Sequence, residues 1–178
     1  MKIESTELEG VYIIDNFNAA DERGLFVKTF NSNSFKENKI NFEIRESYYS
    51  VSKKDVIRGM HFQLPPDDHE KLVYVPFGEI IDVVIDLRKN SPTYKEHISV
   101  KLSAENKKAI FIPIGLAHGF KSLQDNTITV YNVATEYNNE ADSGIKHNSF
   151  GFNWEVKSPI VSERDNSLEI LNNFNSPF

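Results

Sequence analysis

The sequence predicts an all-β protein: a sandwich, jelly roll or barrel built from many short strands. Three observations lead there. Apolar residues recur at every second position in one segment after another. Turn-forming clusters interrupt the chain at short intervals, at Pro65-Pro66-Asp67-Asp68, Pro76-Phe77-Gly78, Asn90-Ser91-Pro92 and Gln124-Asp125-Asn126. Phenylalanine (13) and tyrosine (7) are plentiful, and aromatic rings suit a pleated surface.

In chain order, strands are expected near residues 10–14, 24–30, 42–50, 56–62, 71–75, 79–87, 96–103, 109–112, 117–123 and 126–135. The segment 79–87 is the clearest. Ile81, Val83, Ile85 and Leu87 face one way, and Ile80, Asp82, Val84 and Asp86 the other. In 57–63, strict alternation puts Ile57, Gly59, His61 and Gln63 on one face, opposite Arg58, Met60 and Phe62. Lys71 shares a face with Val73 and Val75, which argues for its burial. Short helices are expected at 32–38, capped by Ser32 or Ser34, and at 166–173. Residues 139–144 read as part of a long loop, the kind of segment that often carries function on a β scaffold.

The chain of 178 residues is long enough for one domain with a substantial core, and no internal repeat or Ser/Gly linker divides it, so residues 1–178 are expected to form a single domain. The hydrophobic fraction of 39% and the charged fraction of 26% are those of an ordinary globular protein. A net charge of −6 argues against polymeric nucleic acid as partner, while leaving room for a small phosphorylated ligand at a local cluster of cations. The absence of cysteine excludes disulfides, thiolate catalysis and Cys-ligated zinc. The first seven residues carry no apolar leader and no apolar run approaches membrane-spanning length, so a cytoplasmic protein is expected.

The chemistry concentrates in three places. Arg58-Gly59-Met60-His61-Phe62-Gln63-Leu64 points an imidazole out of a strand beside a glycine gap. Gly115-Leu116-Ala117-His118-Gly119-Phe120 supplies a second imidazole, and Thr129-Val130-Tyr131-Asn132 a phenol. Two histidines, a phenol and several cations suit proton transfer next to an anionic ligand.

These blocks resemble the dTDP-4-dehydrorhamnose 3,5-epimerase family of nucleotide-sugar epimerases. The resemblance extends from Asp21-Glu22-Arg23-Gly24-Leu25-Phe26 through Lys71-Leu72-Val73, Asp82-Val83-Val84-Ile85-Asp86-Leu87-Arg88 and Ala117-His118-Gly119-Phe120. It continues to Asp142-Ser143-Gly144-Ile145 and Ser162-Glu163-Arg164-Asp165, nearly the whole chain. It implies a cupin-type jelly roll, a homodimer, no metal and no cofactor. The implied reaction is epimerisation beside the ketone of a nucleotide-linked 4-keto-6-deoxy sugar, in deoxysugar biosynthesis for surface polysaccharide.

Residue by residue, His61 resembles the base and Asp165 the carboxylate that orients and charges it. Tyr131 resembles the acid on the opposite face, and Lys71 the cation that neutralises the enolate. Arg23 and Arg58 resemble diphosphate-binding arginines, whose planar guanidinium suits bidentate phosphate contacts. His118 resembles a further substrate contact, with Phe26, Lys28, Gln63, Asp142 and Arg164 completing the substrate-binding set. By the same resemblance Arg23 and Phe26 reach the neighbouring subunit's pocket. His69, His97 and His147 read as surface histidines without a role.

The sequence departs from the family pattern at several positions. Arg164 stands where a lysine is usual and Asp142 where a glutamate is usual. Lys28 replaces a glutamate, and Glu46-Ser47-Tyr48-Tyr49-Ser50 replaces Gln-Asp-Asn-His-Ser. The last two changes point to CDP, then GDP, instead of thymidine as the nucleotide. The loop 63–70 also differs from the commoner version, which is richer in small residues. Two alternatives follow from the superfamily: a metal-dependent cupin enzyme and a non-catalytic nucleotide-sugar-binding cupin. Gln63, standing where a metal-binding cupin places its second histidine, argues against the first.

Overall fold

Period-2 patterning becomes thirteen strands in the computed structural model, which describes residues 1–178. In chain order these are β1 (Lys2–Ser5), β2 (Tyr12–Asp15), β3 (Phe17–Asp21), β4 (Gly24–Lys28), β5 (Glu46–Ser52), β6 (Ile57–Gln63) and β7 (Lys71–Phe77). There follow β8 (Glu79–Asp86), β9 (His97–Ser103), β10 (Lys108–Ile112), β11 (Leu116–Ser122), β12 (Thr127–Val133) and β13 (Asp142–Gly144). A six-stranded sheet has the order β1-β2-β10-β7-β12-β5, a five-stranded sheet the order β13-β6-β11-β8-β9, and β3 and β4 form a separate two-stranded ribbon. All the pairings between strands are antiparallel, and from β5 to β8 the chain crosses between the two sheets at every step. The result is a jelly-roll sandwich.

Three apolar clusters hold the layers together. Between the sheets lie Val73 and Val75 of β7, Ile80 and Val84 of β8, Ile110 and Ile112 of β10, and Leu116 and Phe120 of β11. The outer face of the five-stranded sheet, with Val83 and Ile85, is covered by Trp154 and Leu171 from the C-terminal segment. The outer face of the six-stranded sheet, with Leu72, Ala109 and Phe111, is covered by Phe35, Ile40 and Phe42. Both sheets are thus buried on two faces over their centres, which is why 79–87 reads as an almost unbroken apolar run with the alternation expected of it.

Several boundaries differ from the sequence reading. Phe42 does not join a strand; it packs against Phe35 and Phe111, and β5 begins only at Glu46. The helix α1 (Ser32–Glu37) is capped by Asn31, whose side chain accepts from Ser34 N at 3.0 Å, so neither serine is the cap. The helix α2 (Glu163–Ser167) starts earlier and is shorter than the expected 166–173. Ser162 caps it by accepting from Asp165 N, and Leu168 leaves the helix with an extended ψ of 151°. Residues 142–144, read as loop, form β13 and pair with β6. The short strands β1 and β3 have no counterpart among the expected ones.

The decisive difference lies in β6. Alternation would separate Arg58 from His61, but the β6–β11 register shifts by one residue between the pairs His118–His61 and Phe120–Arg58. Gly59 and Met60 together oppose Gly119, which is a β-bulge. The bulge rotates the strand, so Ile57, Met60 and Phe62 all join the outer cluster while Arg58 and His61 both line the interior cleft. Glycine is required on both sides. Gly59 has φ +132°, and a Cβ there would come within 2.5 Å of Gly119 Cα.

Candidate active site

The two sheets part to leave a cleft of 690 Å³, bounded by β5, β7 and β12 on one side and by β6, β11 and the C-terminal segment on the other. It gathers His61, Lys71, His118, Tyr131, Arg58, Gln63, Asp142, Arg164 and Asp165 of the residues the sequence singles out.

His61 emerges from β6 just past the bulge. Its Nε2 lies 2.7 Å from Asp165 Oδ1, although the two residues are 104 positions apart. Asp165 is positioned from three directions. It sits at the start of α2 with its own N–H bonded to Ser162, its Oδ2 accepts from Gly59 N at 3.0 Å, and its side chain is buried. Burial, the largest influence, would raise its pKa. The hydrogen bond and charge of His61, the Gly59 amide and the nearby Arg164 together outweigh it and hold the carboxyl below its ordinary value. An ionised carboxylate only accepts, so Nε2 carries the ring proton and Nδ1 is left with a free lone pair. Arg164 lies alongside, its Nη1 3.0 Å from the same Nε2 and its Nη2 2.7 Å from Asp142 Oδ2.

Lys71, at the start of β7, is buried and donates to His61 O at 3.2 Å. Desolvation pulls its pKa down to about 8, with Asp142 and Asp82 opposing. The ammonium is therefore charged at neutral pH and close to the His61 backbone.

Tyr131 faces inward from β12, on the sheet opposite His61. Its ring stacks on Tyr48 with centroids 4.8 Å apart and meets His118 edge-on at 6.1 Å. Its hydroxyl lies 3.4 Å from Ser50 Oγ. Burial drives its pKa well above the ordinary phenol value, so it remains a proton-bearing group at neutral pH. His118 on β11 is fully enclosed and pairs through Nε2 with Asp82 Oδ2 at 2.7 Å. Burial raises the pKa of Asp82 despite that partner, and its other oxygen has none.

The remaining expected residues fall into two groups. Arg58 sits at the rim, donating through Nε to Ser52 Oγ at 3.1 Å. Gln63 lines the cleft, but both ends of its amide are used inside the chain: Oε1 accepts from Asn138 N at 2.7 Å and Nε2 donates to Asp67 O at 2.7 Å. It braces loops. Arg23, Phe26 and Lys28 lie on the β3–β4 ribbon, away from this cleft. Arg23 is exposed and paired with Asp21 at 2.6 Å, Phe26 is 58% exposed, and the Lys28 ammonium lies 5.9 Å from the Phe17 ring centroid.

The three histidines read as surface residues need correction. His147 is buried beside Trp154, whose indole N–H donates to His147 O. His97 packs edge-on against Phe150 and Phe152. His69 lines the cleft itself. Asp82 supports the site as well, and a carboxylate among Ile80 and Val84 on the inner face of a strand is a visible signal for a buried polar pair. Ser50 and His69 carried no comparable signal.

Comparison with known proteins gives a consistent picture. The family model for dTDP-4-dehydrorhamnose 3,5-epimerase matches residues 5–173. The chain is 43% identical to the dTDP-4-dehydrorhamnose 3,5-epimerase of Methanothermobacter thermautotrophicus, over 93% of this chain and 92% of that one. It is 39% identical to the enzyme of the same name from Shigella flexneri, over 93% of both chains. The crystal structure of the Bacillus anthracis dTDP-4-dehydrorhamnose 3,5-epimerase, with TDP and PPi bound, superposes with a TM-score of 0.93 at 35% identity, covering 96% of this chain and 99% of that one. With its cupin-like jelly roll and its cleft between two sheets, the chain belongs to the dTDP-4-dehydrorhamnose 3,5-epimerase family and is an isomerase of carbohydrates.

Proposed function

We propose that the chain inverts C3 and C5 of a dTDP-linked 4-keto-6-deoxyhexose by proton removal and return through an enolate, in deoxysugar biosynthesis for surface polysaccharide. The observation that carries this reading is the placement of His61 and Tyr131 on opposing sheets of one cleft, with Lys71 also lining it. His61 Nδ1 takes the proton from a carbon beside the ketone, and the C–H electron pair moves to the ketone oxygen. Asp165 stabilises the imidazolium, and the Lys71 ammonium stabilises the oxyanion. Tyr131 delivers its hydroxyl proton to the opposite face of the same carbon and regains one from solvent, while His61 releases its own. The chemistry is redox-neutral proton traffic and calls for no cofactor.

The changes at Lys28 and at residues 46–50 favour CDP or GDP on sequence grounds. Two of the changed side chains have work inside the chain, which weakens that argument: Tyr48 stacks on Tyr131, and Glu46 Oε2 accepts from Tyr137 N at 2.6 Å. The relatives' names carry dTDP, and dTDP is the nucleotide we assign. Thermal shifts with TDP, CDP, GDP and UDP check it. The largest stabilisation is expected with TDP, since a ligand that binds only the native state raises stability by mass action.

The active unit is proposed to be a homodimer in which residues 1–178 form one epimerase domain per chain. The ribbon β3–β4 is exposed at nearly every position, including Phe17, Leu25 and Phe26. An isolated two-stranded ribbon is marginal in water, and a second copy gives it a surface to cover. Arg23, Phe26 and Lys28 then complete the partner's site for the nucleotide diphosphate. We place the reaction in the cytoplasm; no helix is long and apolar enough to cross a membrane.

Incubation in D₂O with the dTDP-linked 4-keto-6-deoxyhexose, followed by NMR of the ring protons, tests the whole reading. Deuterium is expected at C3 and C5, and its absence from the sugar would overturn the assignment.

A further inference from the structure

His69 stands in the loop where this sequence departs from the family pattern, two residues before Lys71, and its ring lines the cleft. A chain of hydrogen bonds fixes the state of that ring. Asn138 N–H donates to Gln63 Oε1 at 2.7 Å, so the other end of the Gln63 amide is a donor. That NH₂ group reaches Asp67 O at 2.7 Å and His69 Nδ1 at 3.2 Å. Thr135 Oγ1 closes on the same Nδ1 at 2.6 Å. The Gln63 NH₂ has only protons to give, which makes Nδ1 its acceptor; Thr135 Oγ1, which also reaches Asp67 O at 3.1 Å, turns its one proton to the nearer Nδ1, and the ring proton is then on Nε2. Desolvation, helped by the charge of Lys71, lowers the pKa of His69 to about 4, so the ring stays neutral at working pH. Nε2–H has no partner in the chain and is not among the enclosed unpartnered atoms.

We propose that His69 is a substrate-contacting residue, a neutral imidazole whose Nε2–H donates to a hexose oxygen neighbouring the one that Lys71 holds. This rests on the epimerase reading and deepens it, because it assigns a sugar-recognition contact to a position without a role in that reaction. A neutral donor suits the place. A second cation two residues from Lys71 would compete with it for the developing oxyanion, whereas a fixed N–H reads a hydroxyl or carbonyl oxygen without adding charge.

The contact is tested by binding in two parts. Wild type, His69→Phe (ring bulk kept, donor lost) and His69→Gln (a donor kept) are titrated with TDP and with TDP-glucose. In His69→Phe the Kd for TDP is expected to stay within twofold of wild type, while the Kd for TDP-glucose rises about tenfold; His69→Gln recovers most of the loss. His69→Phe is also expected to retain deuterium exchange at C3 and C5, with KM raised more than kcat is lowered. Equal weakening toward both ligands would mean that the change disturbs the fold or the nucleotide site, and no weakening would mean that the ring does not touch the sugar; either result overturns the proposal. A wild type that binds neither ligand and exchanges no deuterium would bring down the epimerase reading itself, and this inference with it.

Discussion

In the proposed reaction His61 can act as a base only because one of its nitrogens is occupied. Asp165 takes the Nε2 proton into a buried hydrogen bond, and Nδ1 is left for the substrate. Replacing His61 by Asn is expected to lower deuterium exchange into the sugar by roughly 10²–10⁴-fold, the usual worth of a positioned proton acceptor. Tyr131→Phe is expected to separate two events that the native enzyme couples: label still enters from the His61 face, but NMR shows no inverted product. Lys71 sets a basic limit. Its native pKa of about 8 lies below the unfolded value, so the charged form is lost as pH climbs. A kcat/KM profile should fall above about pH 8, and Lys71→Met should flatten that limb at a lower plateau. The sign for stability is opposite: between about 8 and about 10 the unfolded chain binds this proton and the native chain does not, so this group's contribution to stability improves with pH. Asp165 has the same sign at the acid end. Its depressed pKa contributes stability in full above the ordinary carboxylate range, and that stability is lost as pH falls through the native value. That His61, Lys71 and Tyr131 belong together is legible in the sequence because each sits in a dense motif on a strand, and the three line one cleft. The hydrogen-bond partners of Gln63 and the burial of His69 are not legible there, because they depend on residues 67, 135 and 138, which no local pattern connects to them.

At the scale of the element, the β6 bulge brings the candidate diphosphate contact and the candidate base onto one surface. Alternation alone assigns Arg58 and His61 to opposite sides; one extra residue at Gly59-Met60 brings them together. Gly59→Ala would add a Cβ 2.5 Å from Gly119 Cα at a φ that L residues avoid. A loss of roughly 3 kcal/mol is expected from strain and overpacking together, read as a lower urea midpoint, and it should be accompanied by reduced activity in whatever protein remains folded. Most strands were legible because both faces of each sheet are covered and the apolar pattern is dense. The bulge was not, since a glycine in a strand signals a close approach without saying which way the chain turns. β13 is not legible for a different reason: Asp142-Ser143-Gly144 carries no apolar alternation and becomes a strand only because β6 offers it an edge.

On the scale of the whole molecule, the two-sheet sandwich was readable from strand count and turn spacing, whereas the sheet order was not, because it depends on pairings between distant segments such as β12 with β5 and β7. The exposed ribbon predicts assembly. Sedimentation is expected to give twice the chain mass of 20.4 kDa, and Phe26→Asp should shift it toward the single chain while weakening nucleotide binding, if the ribbon completes the partner's site as proposed. One further consequence comes from the long span between His61 and the carboxylate that serves it. The sheets can be paired and the imidazole in place while the group that orients it is still undocked, because Asp165 rides on α2 and belongs to neither sheet. Loosening of residues 162–167 alone, read by local hydrogen exchange, is therefore expected to silence the site while the sheets stay paired.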